Sequence, residues 1–265
     1  TQYVAPYREF PVEVKDCSAP GGEKELKNWA ELSAKTPIDL FDNDLFHFAC
    51  FKSENGGSGY DFRVQHIVID GWSVVFMINE INRIYEALTT GETVDEKPNP
   101  SYIDYIRDEQ EYLTSDEAKK DKEFWFDKML PLPQPANLSL KQGNPSNITA
   151  SVADLAFPDN VRTLIHDYCK SHRTSPYRVI LSALYVYIAG VTGNRDVVIG
   201  GANHGRSKES YKKVMGMFVS SLAFRKTLDS DMTFESLVKD MGNETRTIVK
   251  SHQKYPYDKL VRELK

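Results

Sequence analysis

Between residues 60 and 91 the hydrophobic period changes from two to about 3.6, and the change falls on Asp70-Gly71. From Tyr60 to Ile69 the residues alternate. Phe62, Val64, His66 and Val68 fall on one strand face, and Arg63, Gln65, Ile67 and Ile69 on the other. From Val75 onward the apolar residues Val75, Ile78, Ile81, Tyr85 and Leu88 recur at helical spacing, with Ser73 read as the N-cap and Gly91 as the stop. A strand delivered into a helix through a tight turn satisfies both patterns. A second strand, Leu45 to Lys52, precedes it across the glycine-rich stretch Ser53 to Gly59, which suits a hairpin.

The rest of the chain repeats this mixture. Residues 10–16 alternate as a strand, 23–33 carry an apolar helical stripe, and 115–129 read as a charged helix. Leu130-Pro131-Leu132-Pro133-Gln134-Pro135 and the polar residues to Ser146 suit an extended linker. Beyond it come a strand at 148–157, helices at 158–170 and 175–192, strands at 196–201 and 216–228, and a helix at 233–250. Helices and strands alternate on both sides of the linker. The expectation is an α/β protein of two lobes, residues 1–146 and 147–265.

Composition narrows the function classes. A chain of 265 residues with a formal net charge of -5 lacks the basic face that phosphate backbones require, so no nucleic-acid partner is expected. The longest apolar stretch, Tyr177 to Val191, is interrupted by Arg178 and Ser182 and reads as a buried helix, so no membrane partner is expected either. Cys17, Cys50 and Cys169 match neither a disulfide framework nor a metal-ligand spacing. The start Thr1-Gln2-Tyr3 has no signal-peptide pattern, and without an initiator methionine it reads as an excerpt of a longer protein. Together these give the expectation of a cytoplasmic protein with reduced thiols and no metal.

Chemistry concentrates around His66. On an apolar strand face near the strand's end, its imidazole is expected in a partly dry environment, which favours the proton-accepting form of the ring. Gly71 lets backbone approach a ligand closely and could turn an N–H toward a developing oxyanion. A buried Asp70 would need a partner, for which an arginine is suited. By itself, a histidine in an apolar strand is more often a satisfied core residue than a catalyst, and Asp-Gly is a common turn pair.

The neighbouring motifs change that balance. His66-x-x-x-Asp70-Gly71-Trp72-Ser73 resembles the signature HHxxxDGWS of the condensation domains of nonribosomal peptide synthetases, members of the chloramphenicol-acetyltransferase-like superfamily. Ile38-Asp39-Leu40-Phe41 through Phe48 resembles the family's "PFDL…PLFRF" lead-in, and Tyr102-Ile103-Asp104-Tyr105 its YxDY element. Val197 to Gly200 with Arg206, then Gly216 to Leu222, resemble "GxxxxxR…GxFVNTL", and His252 to Val261 resembles "HQDYPFEKLV". The five matches occur in family order over nearly the whole chain.

The resemblance implies two chloramphenicol-acetyltransferase-like lobes, each a mixed sheet with helices and both incomplete, since the motifs that begin and end the family's pattern are absent. Incomplete lobes would leave sheet edges unpaired. It implies an amide-forming acyltransferase in which His66 orients or deprotonates an acceptor amine attacking a donor thioester. Asp70 would pair structurally with Arg206, Gly71 would hold backbone near the thioester carbonyl, and Ser220 and Ser221 would face the substrate channel beside Trp72 and Ser73. Tyr102 and Asp104 read as scaffold. No cofactor is implied on the chain itself. Substrates would arrive on phosphopantetheine arms of upstream and downstream peptidyl carrier domains, next to an adenylation domain. One departure stands out, because Gln65 occupies the place of the first histidine, where its amide could fill a hydrogen-bonding scaffold role. That supports the alternative of an inactive condensation-like domain recruiting carriers or tailoring enzymes. Gly216 to Ser221 resembles the condensing variant more than the epimerising one.

Overall fold

The computed structural model describes residues 8–94, 99–136, 138 and 153–265. The chain divides into two compact units. The first comprises Thr1–Tyr102 with Lys208–Phe218, the second Ile103–Ser207 with Val219–Lys265. The expected boundary at 146 lies in residues outside the described ones, and the compact units divide elsewhere. The reason is visible in the second unit. There α3 (Tyr102–Leu113) is bonded through Tyr112 to Asp121 of α4 (Asp116–Met129), and α4 packs with C-terminal elements, as Trp125 Nε1–H donates to the His252 carbonyl at 3.1 Å and Arg225 Nη1 to the Lys128 carbonyl at 3.1 Å.

The first unit holds a three-stranded mixed sheet ordered β1 (Glu13–Asp16), β2 (Phe46–Lys52), β3 (Ser58–Val64). β1 runs parallel to β2 and β3 antiparallel to it, with Phe48 opposite Phe62 and Phe46 opposite Val64. The hairpin falls on Ser53–Gly57, as the glycines of that stretch predict, and Gly56 adopts φ 76° there. Helix α1 (Gly22–Lys35) is tied to β3 by a 2.9 Å bond from the Ser33 hydroxyl to Asp61. Helix α2 (Gly71–Thr90) ends at Gly91, whose φ of 75° is a left-handed C-cap that glycine adopts at least cost.

The second unit carries α3 and α4, then α5 (Asp159–Ser171), α6 (Pro176–Thr192), β4 (Asp196–Asn203), β5 (Ser220–Thr227), α7 (Phe234–Thr247) and α8 (Tyr257–Glu263). β4 and β5 form an antiparallel pair, with Asn203 opposite Ser220 and Asp196 opposite Thr227. Caps set the helix starts: the Ser115 hydroxyl accepts from Ala118 N–H, the Thr233 hydroxyl accepts from Ser236 N–H, and Pro176 opens α6. One core joins these elements. Trp125 and Met129 of α4 meet Leu181 and Tyr185 of α6, Leu222 and Phe224 of β5, Leu237 and Met241 of α7, and Leu260 of α8. Each aliphatic side chain so buried contributes about 1.5–3 kcal/mol relative to exposure. The Tyr185 hydroxyl donates to the Phe224 carbonyl at 2.5 Å, so its polar end is satisfied.

Some expected elements are shorter than their patterns. Residues 148–152 of one expected strand lie outside the described residues, and 153–157 are irregular. Two further strands, expected at 60–69 and 216–228, each lose one end to the turns described below. No described helix is long and apolar enough to cross a membrane.

Candidate active site

β3 stops at Val64 because the next residues close a turn. Gln65 N–H donates to the Leu45 carbonyl at 2.8 Å, and Val68 N–H donates back to the Gln65 carbonyl at 3.1 Å. His66 and Ile67 occupy that turn and are both exposed. This corrects the expectation of an imidazole sheltered on an apolar strand face. The alternation that suggested it continues in the sequence beyond the last laddered residue. Gln65 is half-buried, and its side-chain amide donates to the Ile38 carbonyl at 3.1 Å, tying the turn to the segment that precedes β2.

Three residues further on the chain is tightly held. Asp70 is 1% exposed and caps α2 in place of the expected Ser73. Its Oδ1 accepts from Ser73 N–H at 2.9 Å, and its Oδ2 accepts from Phe218 N–H at 2.9 Å. Carboxylate at a helix N-terminus is favoured by the orphan N–H groups and by the helix dipole. One side chain thus starts the helix and fixes a backbone strand 148 residues later. Gly71 is exposed at the first helical position, and a Cβ placed on it would meet no atom within 4 Å.

Ser73 and Trp72 fasten the same later segment. The Ser73 hydroxyl donates to the Gly216 carbonyl at 2.9 Å and accepts from Gly216 N–H at 3.1 Å. Trp72 Nε1–H donates to the Lys212 carbonyl at 3.1 Å. Ser73 is completely buried, so its hydroxyl belongs to this fastening and does not line an open channel. Tyr102 completes the clasp: its hydroxyl donates to the Met217 carbonyl at 2.6 Å and its ring meets Phe218 edge-on at 5.2 Å. A Cβ at Gly216 would stand 2.2 Å from the Tyr102 ring, which is the physical reason for glycine at that position. Residues 208–218 are therefore a strap laid on the start of α2. Their commitment to α2 and Tyr102 explains why β5 begins at Ser220 and not at 216.

The remaining expected residues lie in the second unit. Arg206 is 3% exposed, with its N–H donating to His204 Nδ1 at 3.0 Å and its Nη1 to the His204 carbonyl at 3.4 Å. Ser220 is half-buried opposite Asn203, and Ser221 is exposed opposite Ala202. Asp104 lies in the first turn of α3, where its charge suits the helix dipole.

The same unit holds a polar constellation that motif spacing did not reveal. Asp121, 2% exposed, accepts from the Tyr112 hydroxyl at 2.5 Å on one oxygen and lies 2.7 Å from His252 Nδ1 on the other. The His252 ring stacks on Phe124 at 3.7 Å. Burial, with Asp121 beside it, pushes the Tyr112 phenol well above its ordinary range. His252 falls in a π-helical turn at Ile248–His252 that continues α7. Its partner is 131 residues away, which is why sequence spacing found none. Among the described residues, no three of His, Cys, Asp and Glu gather as metal ligands would.

A family model described as "Condensation domain" matches residues 1–265. Surfactin synthase subunit 1 of Bacillus subtilis is 30% identical over 267 residues, an alignment covering 100% of this chain and 7% of that protein. A plipastatin synthase of the same organism is 30% identical, covering 99% of this chain and 10% of that protein. The chain thus spans about a tenth or less of these relatives. Among solved structures, VibH, a condensation enzyme of the nonribosomal peptide synthetase type, matches with a TM-score of 0.81 at 17% identity, over 98% of this chain and 61% of that one. The first condensation domain of the calcium-dependent antibiotic synthetase, in complex with a substrate analogue, matches with a TM-score of 0.81 at 23% identity, over 98% and 58%. With these likenesses in fold and a family match over its full length, the chain belongs to the condensation-domain family of the nonribosomal peptide synthetases.

Proposed function

We propose that this chain carries the His66 centre of an amide-forming condensation domain, joining a carrier-bound donor thioester to the α-amino group of a carrier-bound acceptor. The observation that supports it best is the turn-and-cap arrangement from Gln65 to Ser73 within a full-length family match. In this reading the exposed His66 imidazole receives or orients the acceptor's amine proton as nitrogen attacks the thioester carbonyl. The tetrahedral centre then collapses to the amide and releases the donor's pantetheine thiol. Gly71, with open space where a side chain would stand, leaves backbone accessible to the reacting carbonyl. Asp70 and Gln65 hold the turn, and Arg206 serves as a structural residue. Ser220 and Ser221, and separately Trp72, are assigned to the path of the pantetheine arm. Carrier domains on either side and a neighbouring adenylation domain supply the substrates, and the reading places the chemistry in the cytoplasm.

The test is dipeptidyl transfer between two loaded carrier domains, followed by mass spectrometry, with the chain in the context of a full-length condensation domain. His66→Ala is expected to lower the transfer rate by a factor of about 10² or more, the scale of general acid-base assistance. Undiminished transfer would remove His66 from the chemistry. Gln65 favours a second reading, in which the domain recruits carriers without transfer. Carrier binding with no transfer by the wild-type domain would select it.

A further inference from the structure

The second unit contains a cleft of about 320 Å³ between the C-terminal end of α5, the first turn of α6 and one face of α7. Its lining is strongly basic. Arg173, Arg178, Lys239 and Arg246 contribute four cations, and Glu235 is the acid among the lining residues. Elsewhere in the same unit several cations are matched: Lys128 with Glu244, Arg225 with Asp196, Lys226 with Asp240, Lys254 with Glu117. The four cleft cations make no side-chain hydrogen bond or ion pair among the described residues. Glu235 instead lies 4.0 Å from His172. In a chain of net charge -5, this is a local concentration of uncompensated positive charge.

Three further details indicate a site built for a ligand. Tyr168 lines the cleft, and its hydroxyl is buried without a hydrogen-bond partner, which is costly unless an acceptor is supplied. Burial, with Glu235 and Cys169 near it, raises the Tyr168 phenol above its ordinary range, so it remains a donor at neutral pH. Arg178 is in the first turn of α6, where the helix dipole disfavours a cation. Its guanidinium is laid against α7, with Nη1 at ordinary contact distance, 3.5 Å, from where a Cβ of Gly242 would be. Arg173 takes φ 50° at the end of α5, a left-handed position glycine would occupy more cheaply. An arginine fork and a phenol donor are matched to the oxygens of a phosphate.

We propose that this cleft binds a phosphate-bearing anion, held by Arg178 and the Tyr168 hydroxyl and surrounded by Arg173, Lys239 and Arg246. The assignment is independent of the acyl-transfer reading, because none of these residues belongs to the His66 centre. Isothermal titration of the purified chain with inorganic phosphate, pyrophosphate and phenyl phosphate tests it, with sodium chloride at matched ionic strength as control. The expected result is saturable one-to-one binding, weakened about ten-fold or more by Arg178→Ala and by Arg246→Ala. Arg178→Lys, which keeps charge and loses the fork, should fall between, and Arg162→Ala, whose side chain pairs with Asp159 outside the cleft, should bind as wild type. Preference for pyrophosphate identifies a free polyphosphate. Equal binding of phenyl phosphate identifies a phosphomonoester on a larger molecule. Thermal melts verify that each variant folds, and the exposed Arg246 serves if Arg178→Ala does not. Absence of saturation, an unchanged dissociation constant in the arginine variants, or an equal response to chloride overturns the proposal.

Discussion

Gly71 and Gly216 are both glycines beside the same helix start, and the structure gives them opposite reasons. At Gly71 nothing stands where a Cβ would go, so packing does not require glycine. Gly71→Ala should therefore leave the urea midpoint unchanged or raise stability by about 0.5–1 kcal/mol through helix propensity. If backbone must approach the thioester, the same change lowers peptidyl transfer, and the two measurements separate on one variant. Gly216 is the reverse, because its missing side chain is the room occupied by the Tyr102 ring. Gly216→Ala should cost about 1–3 kcal/mol in equilibrium unfolding. Tyr102→Ala should reduce the added cost of that alanine, giving a non-additive double-mutant cycle. Additive costs would show that the strap is held by other contacts. Single residues are also where the sequence is unevenly legible. Motif order picks out Asp70 as buried and needing partners. Its carboxylate accepts from the backbone N–H groups of Ser73 and Phe218, bonds that no side-chain pattern encodes. His66 reads as sheltered because alternation continues past Val64, while the hydrogen bonds that end the strand are invisible in composition.

Elements are more legible than sites. Helices α1, α2, α4, α5 and α6 fall close to their predicted spans because each carries both an apolar stripe and a chemical stop or start. The departures have specific causes. The segment 216–218 has strand-like residues but uses its backbone on Asp70, Ser73 and Tyr102 instead of on a ladder. Helix α8 escapes the pattern, having only seven residues after Pro256. The β4–β5 pair depends on a cross-strand ion pair, in which Arg225 meets Asp196 through two bonds of 2.9 and 2.6 Å. Those hydrogen bonds hold the Asp196 carboxyl below its ordinary 3.8. A lowered carboxylate value adds stability that is present above the unfolded value and disappears as pH falls through the folded one. Asp196→Asn should thus be less stable than wild type by about 0.5–1 kcal/mol near pH 6, allowing for solvent screening of a partly exposed pair. The gap should close in urea titrations below about pH 3.8. A gap that persists unchanged into acid would mean that shape, not charge, is what the pair contributes.

At the scale of the molecule, apolar surface is unevenly covered. Val75, Tyr85 and Leu88 on α2 are 58%, 66% and 67% exposed, and Leu184, Val186, Tyr187 and Val191 on α6 are likewise exposed. The helical period that locates α2 is therefore genuine, but part of the stripe it marks faces outward in this chain. Exposed apolar side chains concentrated on one helix promote association. Tyr85→Lys with Leu88→Lys should shift light scattering and dye binding toward those of a monodisperse protein, while stability stays within about 0.5 kcal/mol of wild type. A large loss of stability would show that these side chains are buried in solution. The two compact units have a membership that follows no single cut of the chain: residues 208–218 join the first, and residues 103–207 with 219–265 make the second. Long-range membership of this kind is carried by hydrogen bonds between side chains and the backbone of distant residues, which a linear reading does not see.

The strap has a bearing on how the protein comes into being. The first unit draws on residues 8–94 and also on 208–218, so its earliest part waits for a piece made much later. On a ribosome, Asp70 and Ser73 emerge well before their partners Phe218 and Gly216. Until then α2 has its cap but lacks the clasp, and a carboxylate and a hydroxyl destined for burial remain in water. Closure of the first unit is therefore a late event in synthesis, completed only after α3 to α6 and β4 of the second unit have been made. Each body thus waits for a piece made after the other has begun, the first for 208–218 and the second for 219–265.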